Sequence, residues 1–275
     1  MRHSAGVQPT GLDQDGFIAR EGDLTRVAPP FAPVVQAAKA EILSAFSPRR
    51  LHSAYLYGSI PRGSAVPGVS DLDVLVALHD EPTDTDRAAA RHAESTLDAR
   101  FAQVNGAGIL LYDTATLLSD IERHDLGFFV ACLCTPLTGQ DLATRLPRYR
   151  PTALLARETN GDLGDLLPRW RDRLRTAGTD DSLRTLSRGV GRRLVRTGFT
   201  LVMPRWGGWT SDIGESSAVF GHYYPARAEQ MKTAAAAGLT RTADRAILSM
   251  LVDDLGSWLA AEYLRVHGRK TPRGQ

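Results

Sequence analysis

The spacing of apolar residues predicts a first region that mixes helices and strands. Residues 31–46 carry apolar side chains at helical spacing, and residues 83–103 form an Ala-rich helical pattern that Thr83 can cap. The runs LHSAYLYGSI, DLDVLVAL and AGILLYD are typical of strands, and DLDVLVAL is apolar enough to be central in a sheet. Residues 115–135 are predicted to be helical.

Beyond about residue 140 no convincing strand pattern remains. Helical periodicity continues through residues 152–175, 181–203, 224–237 and 240–267. The predicted fold class is therefore α+β, with a small mixed β-sheet domain and flanking helices over residues 31–145 and an all-α helical-bundle domain over residues 146–275. Residues 1–30 show no sustained period, which predicts a mobile leader or a draped arm.

The composition is that of a globular protein, with 43% hydrophobic residues. The longest apolar stretches, such as residues 74–78, are far shorter than the roughly 20 residues of a membrane span. Residues 1–30 lack the apolar core of a signal peptide. Cys132 and Cys134 are too few and too close together for a typical zinc site, and we expect two buried thiols in a reducing cytoplasm.

Charge is distributed unevenly along the chain. Residues 1–150 carry 14 Lys/Arg and 18 Asp/Glu (net −4), whereas residues 151–275 carry 19 and 13 (net +6), which together give the overall +2. So small a total argues against a nucleic-acid partner. The opposite net charges of the two parts of the chain suit a cleft that binds a polyphosphate with metal ions, although ordinary solvated helix faces explain these charges equally well.

Two carboxylates at the start of the predicted central strand are the main candidate site. In a strand, residues i and i+2 point to the same face, so Asp71 and Asp73 project together, with their backbones about 6–7 Å apart. Such neighbours repel unless a cation lies between them, and Mg²⁺ prefers a few carboxylates together with substrate phosphates. Upstream, Gly58 and Ser59 form a turn whose N–H groups suit phosphate oxygens. The plainer alternative is a pair of acids that cap a turn at a strand end.

Residues 55–78, YLYGSIPRGSAVPGVSDLDVLVAL, resemble the nucleotidyltransferase superfamily, and most of all its aminoglycoside nucleotidyltransferases of the streptomycin/spectinomycin type. In that pattern a strand ends in Gly-Ser, and Asp-x-Asp opens an apolar strand about a dozen residues later. The resemblance implies Mg²⁺-dependent transfer of a nucleoside monophosphate, usually AMP from ATP, to a hydroxyl group, with release of pyrophosphate. It implies that Gly58 and Ser59 hold the triphosphate and that Asp71 and Asp73 are catalytic metal ligands. Arg62 either adds charge near the phosphates or stabilises the turn.

The chain departs from this family at a third carboxylate, which the family usually supplies on the next core strand. Residues 105–108 read Asn-Gly-Ala-Gly instead. Asp113, at the far end of that strand, is one substitute, and Glu158 from the helical region is another. If neither takes the role, it is unfilled and transfer is slow or absent.

The helical region carries a row of arginines. Arg188, Arg192 and Arg196 recur every four residues and so share one helix face. Guanidinium groups suit phosphates, and we take Arg192 and Arg196 as further candidates for nucleotide binding; a solvated face paired with acids is the alternative. Trp206 and Trp209, in a Gly-containing loop, either pack between helices or stack on a sugar or base.

The leading hypothesis is a cytoplasmic enzyme that transfers a nucleoside monophosphate from ATP or another nucleoside triphosphate, with Mg²⁺ as cofactor. Its acceptor would be a small molecule such as an aminoglycoside-like antibiotic or another natural product, with no membrane partner. One alternative keeps the reaction but gives it a protein or RNA acceptor, as in toxin–antitoxin systems. The other is a degenerate nucleotide-binding protein that lacks the third carboxylate.

Overall fold

The structure is a computed structural model that describes residues 8–273. The chain divides into two compact units. One unit is Ala19–Tyr149, and the other joins the described residues up to Ile18 with those from Arg150 onward. Within the described range, no helix combines the length and the apolar character needed to cross a membrane.

The unit Ala19–Tyr149 is built on a four-stranded mixed sheet. Its strands, in the spatial order β3-β2-β1-β4, are β1 (Leu51–Tyr57), β2 (Leu72–Leu78), β3 (Ala107–Asp113) and β4 (Cys134–Gly139). β1 runs antiparallel to β2 and β4, whereas β2 and β3 are parallel. The three predicted strands are confirmed, with β2 in a central position, and so is the α+β fold class.

Five α-helices accompany this sheet. They are α1 (Ala32–Ala45), α2 (Ser59–Arg62), α3 (Asp84–Arg100), α4 (Thr114–Leu117) and α5 (Leu126–Phe128). α3 begins with the predicted Thr83 cap, whose hydroxyl accepts from the N–H of Asp86 while the Asp86 carboxylate accepts from the N–H of Thr83. This capping box satisfies N–H groups at the start of the helix, which stabilises that end.

Different elements pack against the two faces of the sheet. Alternate residues of β2, from Leu72 to Leu78, pack with α1 and α3 in one buried cluster. Leu75 and Ala77 face the other way, and they pack with Tyr55 of β1 and with residues that follow β3. Because side chains alternate along a strand, Asp71 and Asp73 lie on this second face.

The outer edge of β3 is covered by acids of α3. The Ala107 N–H donates to Asp98 Oδ1 (2.7 Å), and the Ile109 N–H donates to Glu94 Oε1 (2.7 Å). These are charge-assisted hydrogen bonds to backbone groups that an outer strand would otherwise present to solvent.

The prediction of a helix over residues 115–135 is wrong at residues 118–125, which are not helical, and from Cys134, where β4 begins. A π-helical segment, Phe129–Leu133, leads directly into β4, which pairs with β1. Residues 128–133 of the apolar run FFVACLC are helical as predicted, and its last residue, Cys134, is the first of β4. Pro136 lies within β4, where it is tolerated because this strand forms the edge of the sheet.

The second unit is helical. Its helices are α6 (Ala153–Asn160), α7 (Leu163–Thr176), α8 (Asp180–Trp206), α9 (Ile213–Tyr223), α10 (Ala228–Thr240), α11 (Arg245–Ser249) and α12 (Ser257–His267), with a π-helical segment at Met250–Gly256. α8 packs against α6, α7, α9, α10 and α12, so it is the central helix. It crosses α10 so closely that a Cβ atom at Gly191 would lie 2.4 Å from the carbonyl oxygen of Ala234.

Trp206 and Trp209 are packing residues of this unit. Both are buried, and each contacts the ring of Phe199 edge-on, at centroid distances of 5.7 and 5.6 Å. The residues at the start of the described chain pack here as well. The Trp209 N–H donates to the carbonyl oxygen of Thr10 (2.9 Å), and Arg150 stacks over the ring of Phe17 at 4.0 Å.

Candidate functional site

Asp71 and Asp73 lie at the start of β2, held by backbone bonds on both sides of Asp71. The Asn105 N–H donates to the carbonyl oxygen of Ser70 (2.9 Å), and the Leu72 N–H donates to that of Gly106 (2.8 Å). Both acids are half-buried. Their backbones are about 6–7 Å apart by the rise of an extended chain, and their side chains share one face.

Each of these two carboxylates contacts a second element. Asp71 Oδ1 accepts a hydrogen bond from the Asn105 side-chain amide (3.2 Å). Asp73 lies against the turn after β1, because a Cβ atom at Gly58 would stand 2.6 Å from Asp73 Oδ2. Gly58 also has φ +81°, a conformation that other residues rarely adopt. Glycine at this position therefore allows both the turn and the close approach of the carboxylate.

The turn itself is short and tightly closed. Gly58 precedes α2, and Gly63 ends that helix in the left-handed conformation. The Ser64 N–H donates to the carbonyl oxygen of Ser59 (3.1 Å). The first N–H groups of any helix have no acceptor within it, so Ser59 and Ile60 carry such groups directly after Gly58. The structure thus brings Gly58, Ser59 and Asp73 together.

Arg62 is the last residue of α2, and its Nη1 lies 3.4 Å from Glu21 Oε2. Both side chains are partly withdrawn from solvent, with 29% of Arg62 and 14% of Glu21 exposed. Arg62 therefore belongs to the same turn as Gly58 and Ser59, with an acidic partner that the sequence pattern did not indicate.

Asp113 does not lie with the other two acids, which corrects its candidacy as the third carboxylate. The parallel register pairs Asp73 with Gly108 but Asp113 with Leu78, five residues farther along β2, or about 16 Å by strand rise. Asp113 instead caps α4, accepting from the N–H (2.8 Å) and hydroxyl (2.7 Å) of Thr116. Burial raises the pKa of its carboxyl, but these hydrogen bonds outweigh burial and leave the pKa below its usual value.

The positions beside the acid pair on β3 are glycines. Gly108 pairs with Asp73, and Gly106 precedes the pairing of Leu72 with Ala107, so both lie on the face of the acids. A Cβ atom at either glycine would have no atom within 4 Å. Among the described residues, no group of three or more His, Cys, Asp or Glu is arranged to hold a metal ion. Neither Gly106 nor Gly108 therefore supplies a third carboxylate beside the pair.

Glu158 is committed elsewhere in the helical unit. It is buried and accepts hydrogen bonds from Arg157 Nε (2.9 Å), Arg273 Nη1 (3.1 Å) and the Thr271 hydroxyl (2.9 Å). Burial raises the pKa of its carboxyl, but these donors outweigh burial and hold the pKa below its usual value. Through these contacts Glu158 holds the residues that follow α12 against α6.

The two arginine candidates of the helical unit both lie on α8. Arg192 is half-buried, and its Nε donates to the carbonyl oxygen of Gly238 on α10 (3.1 Å). Arg196 is exposed. Their role in nucleotide binding stays a prediction.

Comparison with known proteins identifies the type of domain. Residues 39–105 match the family model described as a nucleotidyltransferase domain, which confirms the resemblance seen in residues 55–78. No curated protein sequence matches the chain. Among solved structures, the fold is similar to that of a spectinomycin adenyltransferase, AAD(9) from Enterococcus faecialis, solved with ATP and spectinomycin. The TM-score is 0.53 at 15% sequence identity, over 84% of this chain and 98% of that one.

Proposed function

We propose that this chain, which carries a nucleotidyltransferase domain, transfers AMP from ATP to a hydroxyl group of a small molecule in a Mg²⁺-dependent reaction that releases pyrophosphate. The observation that carries the proposal is the contact of the Asp73 carboxylate with the Gly58 turn, with Asp71 on the same strand face. It supports the proposal because a pair of carboxylates then adjoins a turn whose N–H groups suit a triphosphate.

The acid pair fits a magnesium ion that arrives with its nucleotide. Mg²⁺ is usually held by one or two carboxylates, with the remaining positions taken by substrate phosphates and water. Any other residue at position 58 would place a Cβ atom against the Asp73 carboxylate. Glycine there leaves room for the carboxylate beside the turn. When bound, the ion supplies positive charge that stabilises the transferring phosphoryl group and the leaving pyrophosphate.

The chain's own residues would then bind and orient the donor. N–H groups of Ser59 and Ile60 hold phosphate oxygens, and Arg62 adds positive charge at the other end of α2. Asn105 donates to one oxygen of Asp71, which fixes the rotation of that carboxylate. General-base help is worth about 10²–10⁴-fold, so glycine at 106 and 108 predicts slow turnover.

The proposed acceptor class is an aminoglycoside-like antibiotic or a related natural product. Support comes from the similarity of fold to an adenyltransferase solved with spectinomycin, which extends over most of both chains. Adenylylation of such an antibiotic would give the chain a role in resistance.

Pyrophosphate release tests the proposal. The purified chain is incubated with Mg²⁺, each nucleoside triphosphate in turn, and a panel of aminocyclitol and aminoglycoside acceptors, and products are identified by mass. We expect acceptor-dependent release that Asp73→Asn abolishes. Asp84→Asn is the matched control, because Asp84 is fully exposed in the first turn of α3. An Asp73→Asn variant as active as the wild type would contradict the assignment.

A second candidate function is a nucleotide-binding protein without transferase activity. The glycines at 106 and 108, beside the acid pair, favour this alternative. Calorimetry with ATP and Mg²⁺ would then show binding, while no acceptor in the panel would release pyrophosphate. Turnover with any acceptor excludes it.

A further inference from the structure

Residues 20–26, which precede α1, lie along α2 and its turn; we call this segment the brace. The Asp23 N–H donates to the carbonyl oxygen of Pro61 (2.9 Å). A Cβ atom at Gly22 would stand 2.9 Å from Pro61 Cβ, and one at Gly63 would stand 2.9 Å from the carbonyl oxygen of Arg26. The brace and the turn are thus in direct contact, at distances that only glycine permits at positions 22 and 63.

The other side of the brace is fixed to the segment that leads into β4. The Glu21 N–H donates to the carbonyl oxygen of Cys132 (2.9 Å). Arg20 donates through Nε to the carbonyl oxygen of Ala131 (3.1 Å) and through both terminal nitrogens to Asp141, at 2.9 and 3.2 Å. Bidentate pairing of this kind fixes both position and orientation. The brace therefore connects α2 to the β4 side of the sheet.

Glu21 is the brace residue that reaches the side chain of Arg62. Its own backbone is held at two points, since its N–H bonds Cys132 and its carbonyl oxygen accepts from Arg26 Nη1 (3.0 Å). An arginine side chain carries many rotamers, and a fixed carboxylate reduces that freedom. A guanidinium has five N–H donors, of which the contact with Glu21 uses one.

We propose that Glu21 is a positioning residue of the nucleotide site, which holds Arg62 in the orientation that binds phosphate. This inference rests on the proposed function, because it assumes that the turn binds a triphosphate. The brace is then a working part of the nucleotide site, although it precedes Gly58 by more than thirty residues. The opposite arrangement, in which Glu21 competes with phosphate for Arg62, predicts effects of the opposite sign.

A double-mutant cycle tests this assignment. Glu21→Gln, Arg62→Gln and the double variant are compared with the wild type by calorimetry with Mg²⁺ and ATP, and with adenosine. We expect each single variant to weaken ATP binding by about 3- to 10-fold, with adenosine binding unchanged. The double variant should bind ATP no more weakly than Arg62→Gln alone, since Glu21 acts through Arg62. Glu21→Asp should restore part of the affinity.

Two controls separate this role from general stability. Glu41→Gln removes a comparable ion pair between α1 and α3 (Glu41–Arg100, 3.2 Å) and should leave ATP affinity unchanged. Melting temperatures identify variants that are merely unfolded. Additive effects of the two substitutions, or tighter ATP binding by Glu21→Gln, would overturn the inference alone. A wild type that binds no nucleoside triphosphate would overturn the proposed function with it.

Discussion

Gly108 provides a direct test of the acid pair, because β3 places it beside Asp73. The parallel register pairs the two residues, and a Cβ atom at Gly108 would have no atom within 4 Å. Its backbone φ is not positive, so a side chain causes no strain there. Gly108→Asp therefore adds a third carboxylate on the face that carries Asp71 and Asp73.

The magnitude follows from the strand spacing. Neighbouring strands are about 4.8 Å apart, so the new carboxylate comes within roughly 6 Å of Asp73. At an effective dielectric of about 20, two unit charges at that distance repel by about 3 kcal/mol, and solvent at this half-buried site reduces the repulsion to about 1–2 kcal/mol. Without divalent ions the free energy of unfolding should fall by that amount, which lowers the melting temperature by about 2–8 °C. A bound Mg²⁺ reverses the sign, and its affinity should rise about 10-fold.

Thermal unfolding with EDTA and with Mg²⁺, together with Mn²⁺ binding in the presence of ATP, measures both effects. Gly108→Asn has the same volume without the charge, and Gly164→Asp adds a charge at an open position on α7. Neither control should show a melting temperature that depends on Mg²⁺ more than the wild type does. If Gly108→Asp melts equally with EDTA and Mg²⁺ and binds Mn²⁺ no more tightly, the metal is not held at Asp71 and Asp73.

Four further substitutions test the fold and the alternatives. Burial opposes ionisation of Asp86, but hydrogen bonds from Arg50 and Thr83 outweigh burial and lower the pKa of the carboxyl below 3.8. Asp86→Asn should therefore lower the free energy of unfolding by about 2–3 kcal/mol at pH 7. The difference in melting temperature between the wild type and this variant should narrow below about pH 4, because the wild-type carboxylate is then protonated. A difference in melting temperature that does not change with pH would contradict that reasoning. Glu158→Gln should lower the melting temperature but leave the rate of nucleotidyl transfer within about 2-fold of the wild type, because the partners of Glu158 are structural. Loss of transfer would instead support Glu158 as the third carboxylate. Gly189→Ala should stabilise α8 by about 0.5–1 kcal/mol in denaturant unfolding, whereas Gly191→Ala should destabilise the crossing with α10; equal effects would contradict the packing described.

Much of the first unit follows from local pattern alone. Strict alternation and apolar runs locate β1, β2 and β3, and the Thr83 cap marks the start of α3. β4 is different, because six residues that include a proline carry little strand signal, and their pairing with β1 forms only in the folded sheet. α9 was likewise not predicted, since Gly and Trp before it read as a loop.

Part of the candidate site likewise follows from local sequence pattern, and part appears only in the folded structure. The common face of Asp71 and Asp73 follows from strand alternation, and the turn at Gly58 and Ser59 follows from the motif, whereas the need for glycine at 58 appears only in the structure. The place of Asp113 depends on the direction of β3 relative to β2, which single-strand patterns do not report. Glu21 reaches Arg62 only through tertiary packing, and no periodicity around residue 21 marks it.

The acids that cover the outer edge of β3 have a consequence for the behaviour of the protein at high concentration. An exposed strand edge is a template on which another chain can add a strand, and aggregation often begins there. Here Glu94 and Asp98 already occupy two of the N–H groups that such a strand would need. An incoming chain would have to displace two charge-assisted bonds and approach two negative charges. α3 thus gives an open sheet a protected margin, and Glu94→Ala with Asp98→Ala would expose it.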